Sequence, residues 1–148
     1  MKEIKHIIVP VDLVEHTRNI VDLAIFMANR HESEICFFHC VEFVESASMW
    51  EMAIMKFSYE DYMAKKILHA EQAIQNFIKD AASECQNYQI SVVAGDIVSE
   101  IMACAETNKG DLIIMGTHGK QTQKKIVLGS ISEQVLRKAQ CPVMVINP

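Results

Sequence analysis

Five short apolar runs, separated by longer segments with helical periodicity, constrain the fold of this chain more than any other feature. The runs are nearly continuous and rich in valine and isoleucine, which is typical of strands buried on both faces of a parallel sheet. They cover residues 4–11, 35–41, 89–95, 111–116 and 142–147. The resulting order βαβαβαβαβ predicts an α/β fold: one doubly wound, Rossmann-like, five-stranded parallel sheet with helices on both faces. The alternation does not fix which strands are neighbours, but a 2-1-4 adjacency is common in such sheets, so we expect strand order 3-2-1-4-5.

The segments between these runs carry the helical patterns. Thr17 and Asp96 stand directly before two of the patterns and are expected to cap the helices that follow. The predicted helices cover residues 18–30, about 60–84, 97–105 and 130 to about 138. No repeat, linker or low-complexity tract interrupts the pattern, so residues 1–148 are interpreted as one domain.

The composition excludes several classes of protein. The chain has 148 residues and a formal net charge of −5, which argues against a broad nucleic-acid-binding surface. Its apolar runs are shorter than the roughly 18 residues that cross a bilayer, and the apolar stretch near the N-terminus is too short for a signal peptide. We therefore expect a cytoplasmic protein that binds neither membranes nor nucleic acid.

The cysteines and histidines form no recognisable metal motif. The five cysteines include no CxxC spacing and lie mostly in apolar stretches, so they are expected to be reduced and mostly buried. Cys36 and Cys40, four residues apart on one predicted strand, would share a face. The six histidines include no pair at a spacing such as HExxH, so no dedicated metal site is predicted. His39 is interpreted as a core residue whose ring bonds a carbonyl group.

The segment GTHGKQTQKKIVLGS, residues 116–130, gathers three of the five glycines. Glycines let main-chain N–H groups approach an anion closely, and the start of a following helix adds free N–H groups and a partial positive charge. Ser130 supplies a hydroxyl group, and Lys120, Lys124 and Lys125 supply positive potential. Together these features favour a site for a di- or triphosphate.

Simpler explanations fit the same residues. Ser130-Ile-Ser-Glu133 matches a capping box, so both side chains could serve only to begin a helix. The glycines could only turn the chain, and the lysines could only face water. The segment matches neither the Walker A motif nor GxGxxG. No carboxylate between Gly116 and Ser130 would orient water for hydrolysis, so binding is favoured over turnover and no catalytic residue is assigned.

The spacing Gly116-xx-Gly119-x9-Gly129-Ser130 is similar to the ATP-binding pattern G-xx-G-x9-G-[ST] of the universal stress protein family. HIIVPVDLVEHT, GDLIIMGTHGK and LGSISEQVLRKAQCPVMVI also resemble that family's first strand, its fourth strand and turn, and its closing helix and strand. The resemblance covers essentially the whole chain and is loosest at about residues 42–60. It departs at Leu13 and Val14, where many relatives have small polar residues, and this is expected to change how the first helix starts.

The resemblance implies a site for ATP, ADP or AMP. Asp12 would accept hydrogen bonds from the ribose hydroxyls or the adenine amine. The glycines and the helix start would hold the phosphates, with Mg²⁺ or Mn²⁺ bridging phosphate oxygens. For His118 a phosphate contact and a solvent-facing position remain open alternatives. The residues implied to bind the nucleotide are Pro10, Val11, Asp12, Val41, Met115, Gly116, His118, Gly119, Gly129, Ser130, Ile131 and Ser132.

The resemblance also implies a homodimer, paired through the C-terminal strand, that acts in stress response or signalling as a nucleotide-dependent switch read by a protein client. A slow ATPase or autophosphorylating enzyme and a ligand-free interaction module are the alternatives. Residues 42–58, rich in methionine and aromatic side chains, would either pack on their own domain or cover the bound base.

Overall fold

The computed structural model describes residues 3–14, 16–42, 56–117 and 128–147, and for residues 56–58 the backbone alone. Within these residues, strands and helices alternate as predicted, and each strand lies within two residues of its expected bounds. The elements are β1 (His6–Pro10), α1 (Thr17–His31), β2 (Glu34–Val41), α2 (Lys56–Lys79), β3 (Tyr88–Ala94), α3 (Ile97–Thr107), β4 (Leu112–Gly116), α4 (Ser130–Lys138) and β5 (Val143–Ile146).

The five strands form one parallel sheet in the order β3-β2-β1-β4-β5, which confirms the predicted topology. The chain adds β2 and β3 on one side of β1 and then crosses to add β4 and β5 on the other side. Because all strands are parallel, their carboxyl ends lie along the same edge. The order reverses between β1 and β4, and folds of this kind bind ligands at the crevice outside that point.

Successive residues of β1 face opposite sides of the sheet and enter two separate cores. Ile7 and Val9 pack in a cluster with side chains of α1 and α2, whereas Ile8 packs with side chains of α3 and α4. All three are fully buried. Burying a side chain of this size stabilises a fold by roughly 1.5–3 kcal/mol, so the central strand is held from both faces.

The start of α1 differs from the expectation. Thr17 is the first residue of the helix rather than its cap, and the preceding His16 makes no side-chain capping hydrogen bond. Thr17 is fully buried, and its hydroxyl group donates to the carboxylate of Asp12 at 3.0 Å. The prediction that Thr17 caps the helix is therefore wrong, because its hydroxyl is used by the turn that leaves β1.

The end of α2 also differs, since the helix stops five residues before the predicted Glu84. Beyond it, the N–H group of Ala82 donates to Asp22 at 3.1 Å, and Asn29 donates to the carbonyl of Glu84 at 3.1 Å. Both partners belong to α1. Residues 82 and 84 thus bond to α1 instead of continuing the helix, and the chain runs along α1 before it enters β3.

Other expectations are confirmed. Asp96 caps α3, with its carboxylate accepting a hydrogen bond from the N–H of Ser99 at 3.0 Å. All five cysteines are free thiols, and Cys36 and Cys40 share the face that packs on α3 and α4. Across the described ranges, no helix combines the length and the apolar character needed to cross a membrane.

Candidate functional site

Several residues singled out from the sequence lie together at the carboxyl edge of the sheet. Pro10 ends β1 and is followed by Val11 and Asp12, while Met115 and Gly116 end β4. The two strands are direct neighbours, with Ile8 in register with Ile113. Val41 ends β2, which pairs with β1 on its other side. The topology therefore brings the turn after β1 next to the chain leaving β4, as the order 3-2-1-4-5 requires.

The carboxylate of Asp12 is held in place by its own turn. One oxygen, Oδ1, accepts from the N–H of Val14 at 3.3 Å and from the hydroxyl of Thr17 at 3.0 Å. The other, Oδ2, lies 3.3 Å from Nε2 of His16. The Asp12 side chain is 25% exposed. It is thus a preoriented acceptor with one side open to solvent.

The turn carries backbone strain at Leu13. This residue has φ of 66°, in the left-handed region that costs a residue with a side chain roughly 1–2 kcal/mol. Its partly buried side chain packs against the core between the sheet, α1 and α2. The departure noted from the sequence at Leu13 therefore falls on a strained residue in the same turn as Asp12.

The neighbouring residues contribute buried side chains and engaged main-chain atoms. Val11, Val41 and Met115 are only 5–7% exposed, so their side chains belong mainly to the protein interior. The carbonyl of Val11 lies 2.7 Å from Nδ1 of His39, which confirms that this histidine bonds a carbonyl. The carbonyl of Val41 accepts from the N–H of Gly95 at 3.2 Å. A ligand at this part of the edge would therefore meet mostly the main-chain atoms of these residues.

On the other side of the crevice, α4 is tied to the end of β4. The N–H of Gly129 donates to the carbonyl of Thr117 at 2.6 Å. Ser132 is 2% exposed, and its hydroxyl donates to the carbonyls of Gly116 and Thr117 at 2.7 and 3.1 Å. These contacts hold the helix start against the strand end. They also engage the Gly129 amide and the Ser132 hydroxyl, so neither group is left to donate to a ligand.

The capping-box alternative is wrong for α4. The capping position is Gly129, which itself makes no side-chain capping hydrogen bond. Ser130 is exposed, and its hydroxyl accepts from Gln134 at 3.2 Å. Glu133 pairs instead with Arg137 at 2.9 Å. The main-chain N–H groups of the first helical turn, residues 130–132, precede the first intrahelical donor and so have no partner within the helix.

Some predicted residues cannot be located in this way. His118, Gly119 and the three lysines of the segment lie outside the described residues, as do residues 43–55. Elsewhere, in the described ranges, no group of three or more potential ligand side chains could hold a metal ion. Sequence reasoning did not identify His16 or Thr17 as partners of Asp12, because a spacing of four residues predicts a contact only within a helix and α1 begins after this turn.

Comparison with known proteins agrees with this architecture. A model of the universal stress protein family matches residues 3–147. Universal stress protein MJ0531 of Methanocaldococcus jannaschii is 28% identical over 148 residues, which cover 97% of this chain and 82% of that protein. The structure of UspA from Lactobacillus plantarum has a TM-score of 0.84 at 21% identity and covers 99% of both chains.

A universal stress protein from Archaeoglobus fulgidus, solved in complex with dAMP, has a TM-score of 0.60 at 16% identity. The structural alignment covers 98% of this chain and 99% of the Archaeoglobus fulgidus chain. At that identity the likeness concerns the fold. The family model, in contrast, spans both the turn after β1 and the start of α4. The chain therefore belongs to the universal stress protein family.

Proposed function

We propose that this protein binds an adenine nucleotide, with ATP as the expected ligand, in the crevice between the turn after β1 and the start of α4. The observation that carries the proposal is that β1 and β4 are neighbours at the switch point of the sheet and lead into two complementary groups. One is the preoriented carboxylate of Asp12 after β1, and the other is the N-terminus of α4, which hydrogen bonds tie to the end of β4. A carboxylate suits the hydroxyls of a sugar, whereas a helix N-terminus suits a phosphate.

The phosphates would be held at the start of α4. The N–H groups of Ser130, Ile131 and Ser132 precede the first intrahelical donor, which is Glu133 N–H bonded to the carbonyl of Gly129. The helix macrodipole adds roughly half a positive charge at the same end. The exposed hydroxyl of Ser130 can donate to a phosphate oxygen. Gly116, Gly119, His118 and the lysines would complete the phosphate site.

The adenosine would lie against the turn after β1. An ionised carboxylate has about four acceptor positions, and the Asp12 contacts with Val14, Thr17 and His16 use three of them. The remaining position and the exposed side of the carboxylate would accept from ribose or adenine. Pro10, Val11, Val41 and Met115 would line the base pocket. The dAMP complex of the Archaeoglobus fulgidus protein supports this proposal by analogy of fold.

A divalent cation would accompany the nucleotide rather than occupy a site made by the protein. Asp12 already contacts three protein groups, and the start of α4 offers hydrogen-bond donors rather than oxygen ligands. Mg²⁺ commonly keeps several waters and binds through substrate phosphates, so Mg²⁺ or Mn²⁺ would bridge the phosphate oxygens here.

The proposed switch requires a dimer, and the edge of the sheet formed by β5 is the surface proposed for dimerisation. β5 is the terminal strand next to β4, and its four residues are partly exposed. Such an edge invites pairing with a second strand. We propose a cytoplasmic homodimer joined through β5, whose nucleotide occupancy is read by a protein client in stress response or signalling.

The binding proposal is tested by equilibrium titration of purified, nucleotide-free protein with ATP and Mg²⁺. Asp12→Asn keeps an oxygen acceptor for Thr17 but removes the charge, and it should weaken ATP binding about tenfold, the loss of roughly one charge-assisted hydrogen bond. Asp61→Asn is the matched control, because Asp61 is 66% exposed and its ion pair with Lys65 at 3.2 Å, one turn along α2, involves no residue of the proposed site. Equal affinity for all three proteins, or no binding of ATP to the wild type, would contradict the proposal.

A further inference from the structure

Two thiol groups meet in the core between the sheet and α3. The Sγ atoms of Cys36, on β2, and Cys104, on α3, lie 3.7 Å apart, although 68 residues separate them along the chain. Both residues are free cysteines, 3% and 8% exposed. Ile8, Ile101 and Ile113 belong to the same buried cluster. Neither thiol takes part in the proposed nucleotide site.

The surroundings make the two thiols unequal. The pKa of Cys104 is lowered because Cys36 hydrogen-bonds to its sulfur, and Asn108 adds a second hydrogen bond from Nδ2 at 3.5 Å, while burial acts in the opposite direction. The pKa of Cys36 is raised by the same thiol contact and by burial. Since the thiolate is the reactive form, these directions make Cys104 the more reactive sulfur of the pair.

Asn108 also connects the pair to the surface. It is the C-terminal capping residue of α3, its amide donates to the carbonyl of Cys104 at 2.8 Å, and its oxygen accepts from the exposed Gln89 at 2.7 Å. Cys104 lies under this side chain and retains a small exposed area.

We propose that Cys36 and Cys104 form a peroxide-sensitive dithiol that oxidises reversibly to an intramolecular disulfide linking β2 to α3. The thiolate of Cys104 attacks one oxygen of hydrogen peroxide; the O–O bond breaks, a sulfenic acid forms on Cys104 and hydroxide leaves. The sulfur of Cys36 then attacks the sulfenic sulfur. The S–S bond forms as the S–O bond breaks, and the departing OH leaves as water with the thiol proton. The two sulfurs together lose two electrons, which reduce the peroxide.

The geometry favours a sensor over a permanent cross-link. The sulfurs lie 3.7 Å apart, longer than the disulfide distance of about 2.05 Å, so the pair is unbonded at rest but within reach of bond formation. Reduced thiols at rest and a transient disulfide under oxidation are the usual pattern for redox sensors inside cells.

The other buried thiol of this cluster is not equivalent. Cys40 lies 3.3 Å from the carbonyl of Gly95, and its pKa is raised to about 11, mainly by burial. Burial thus disfavours the thiolate of Cys40, whereas the pKa of Cys104 is lowered. The dithiol chemistry is independent of nucleotide binding, because it uses no residue of the proposed nucleotide site.

The test begins with a variant that keeps only the proposed pair, Cys40→Ala/Cys85→Ser/Cys141→Ser. The folded variant is treated with hydrogen peroxide, alkylated under denaturing conditions and digested with trypsin, which releases residues 31–56 and 80–109 as separate peptides. We expect these peptides to be joined by a bond that dithiothreitol cleaves. The matched control, Cys36→Ala/Cys85→Ser/Cys141→Ser, keeps Cys40 and Cys104 and should form no link but accumulate a dimedone-reactive sulfenic acid on Cys104.

Wild-type protein serves as a second measurement that does not depend on the variants folding. After the same treatment, fragmentation of the joined peptides should assign the bond to Cys36 and Cys104. Asn108→Ala should slow its formation several-fold, because a donor to the Cys104 sulfur is lost. Fully alkylated thiols after peroxide, a sulfinic acid on Cys104 beside a free Cys36, or an equal link through Cys40 would each overturn the proposal.

Discussion

The hydroxyl group of Thr17 donates a hydrogen bond to Oδ1 of Asp12 at 3.0 Å, which joins the first residue of α1 to the carboxylate that follows β1. Thr17 is fully buried, whereas Asp12 is 25% exposed. The fixed, buried partner therefore orients the partly exposed one. This relationship makes the packing of α1 part of the proposed adenosine site.

Replacing Thr17 should affect both stability and nucleotide binding. Thr17→Val keeps the volume but removes the donor, so it should lower the free energy of unfolding by about 1 kcal/mol and weaken ATP binding. Thr17→Ser keeps the hydroxyl and is the control for the lost hydrogen bond. Urea unfolding and ATP titration measure the two effects. If valine and serine variants bind ATP equally well, Thr17 does not orient Asp12.

Because Leu13 has a positive φ, we predict that glycine is tolerated better than alanine at this position. Both Leu13→Ala and Leu13→Gly lose the same packing against the core, but only glycine adopts φ of 66° without a steric cost. The glycine variant should therefore be more stable than the alanine variant by about 1 kcal/mol, as measured by thermal or urea unfolding. An alanine variant as stable as the glycine variant would show that this turn is unstrained.

The two serines at the start of α4 should separate stability from binding. Ser132→Ala removes a buried hydroxyl that serves the carbonyls of Gly116 and Thr117, so the free energy of unfolding should fall by about 1–3 kcal/mol. Ser130→Ala removes an exposed hydroxyl and should leave stability nearly unchanged while weakening ATP binding. The opposite pattern, with Ser130 carrying stability, would contradict the roles assigned to these residues.

Asp96 provides a pH-dependent contribution to stability. Its pKa is lowered because the N–H and then the hydroxyl of Ser99 donate to its carboxylate. A carboxyl group with a lowered folded pKa stabilises the fold above its ordinary pKa of 3.8, and this contribution is lost as the pH falls through the folded pKa. Wild type should therefore be more stable than Asp96→Asn at neutral pH, with the difference shrinking below about pH 4.

Unfolding curves from pH 7 to pH 3 measure this difference. Asp61→Asn is the matched control, because Asp61 forms an exposed ion pair with Lys65 at 3.2 Å and caps no helix. A constant difference between wild type and Asp96→Asn across the acid range would show that ionised Asp96 gives no advantage over a neutral acceptor.

The proposed dimer can be tested at β5. Ile113 donates to the carbonyl of Pro142 and Thr117 to that of Ile146, so Val143 and Val145 point their main-chain groups away from β4. Val145→Pro would remove an outward N–H group without removing a bond to β4, and it should convert a dimer to a monomer in light scattering. Val145→Ala keeps the N–H group and should remain dimeric. A wild-type monomer at high micromolar concentration would contradict the proposal.

Much of the fold could be predicted from periodicity, because strands buried on both faces leave long apolar runs. The five strands and the Asp96 cap depend on local patterns, and the parallel sheet follows from the alternation of strands and helices. The place of β4 beside β1 was expected only because that arrangement is common in such sheets. The premature end of α2 could not be predicted in this way. It depends on Asp22 and Asn29, which lie more than 50 residues away along the chain.

The neighbouring positions of β1 and β4 were predictable, but the hydrogen bonds within the turn after β1 and at the start of α4 were not. Asp12 and the helix start at Ser130 follow strands that the topology makes neighbours. In contrast, Thr17 was interpreted as a cap and Ser132 as part of the phosphate wall, and the structure shows both hydroxyls engaged in holding the turns. A side-chain hydroxyl gives the same sequence signal in either role, and only its burial and partners distinguish them.

The most direct test of the central claim is to map the main-chain amide NMR shifts of the isotope-labelled protein during titration with ATP and Mg²⁺. The account predicts the largest changes at Asp12, Ser130 and Ile131, and little change at Asp111, which contacts the N–H groups of Lys5 and His6 at the opposite edge of the sheet. If millimolar ATP leaves the first three amides unshifted, or shifts only residues away from the carboxyl ends of β1 and β4, the account is wrong.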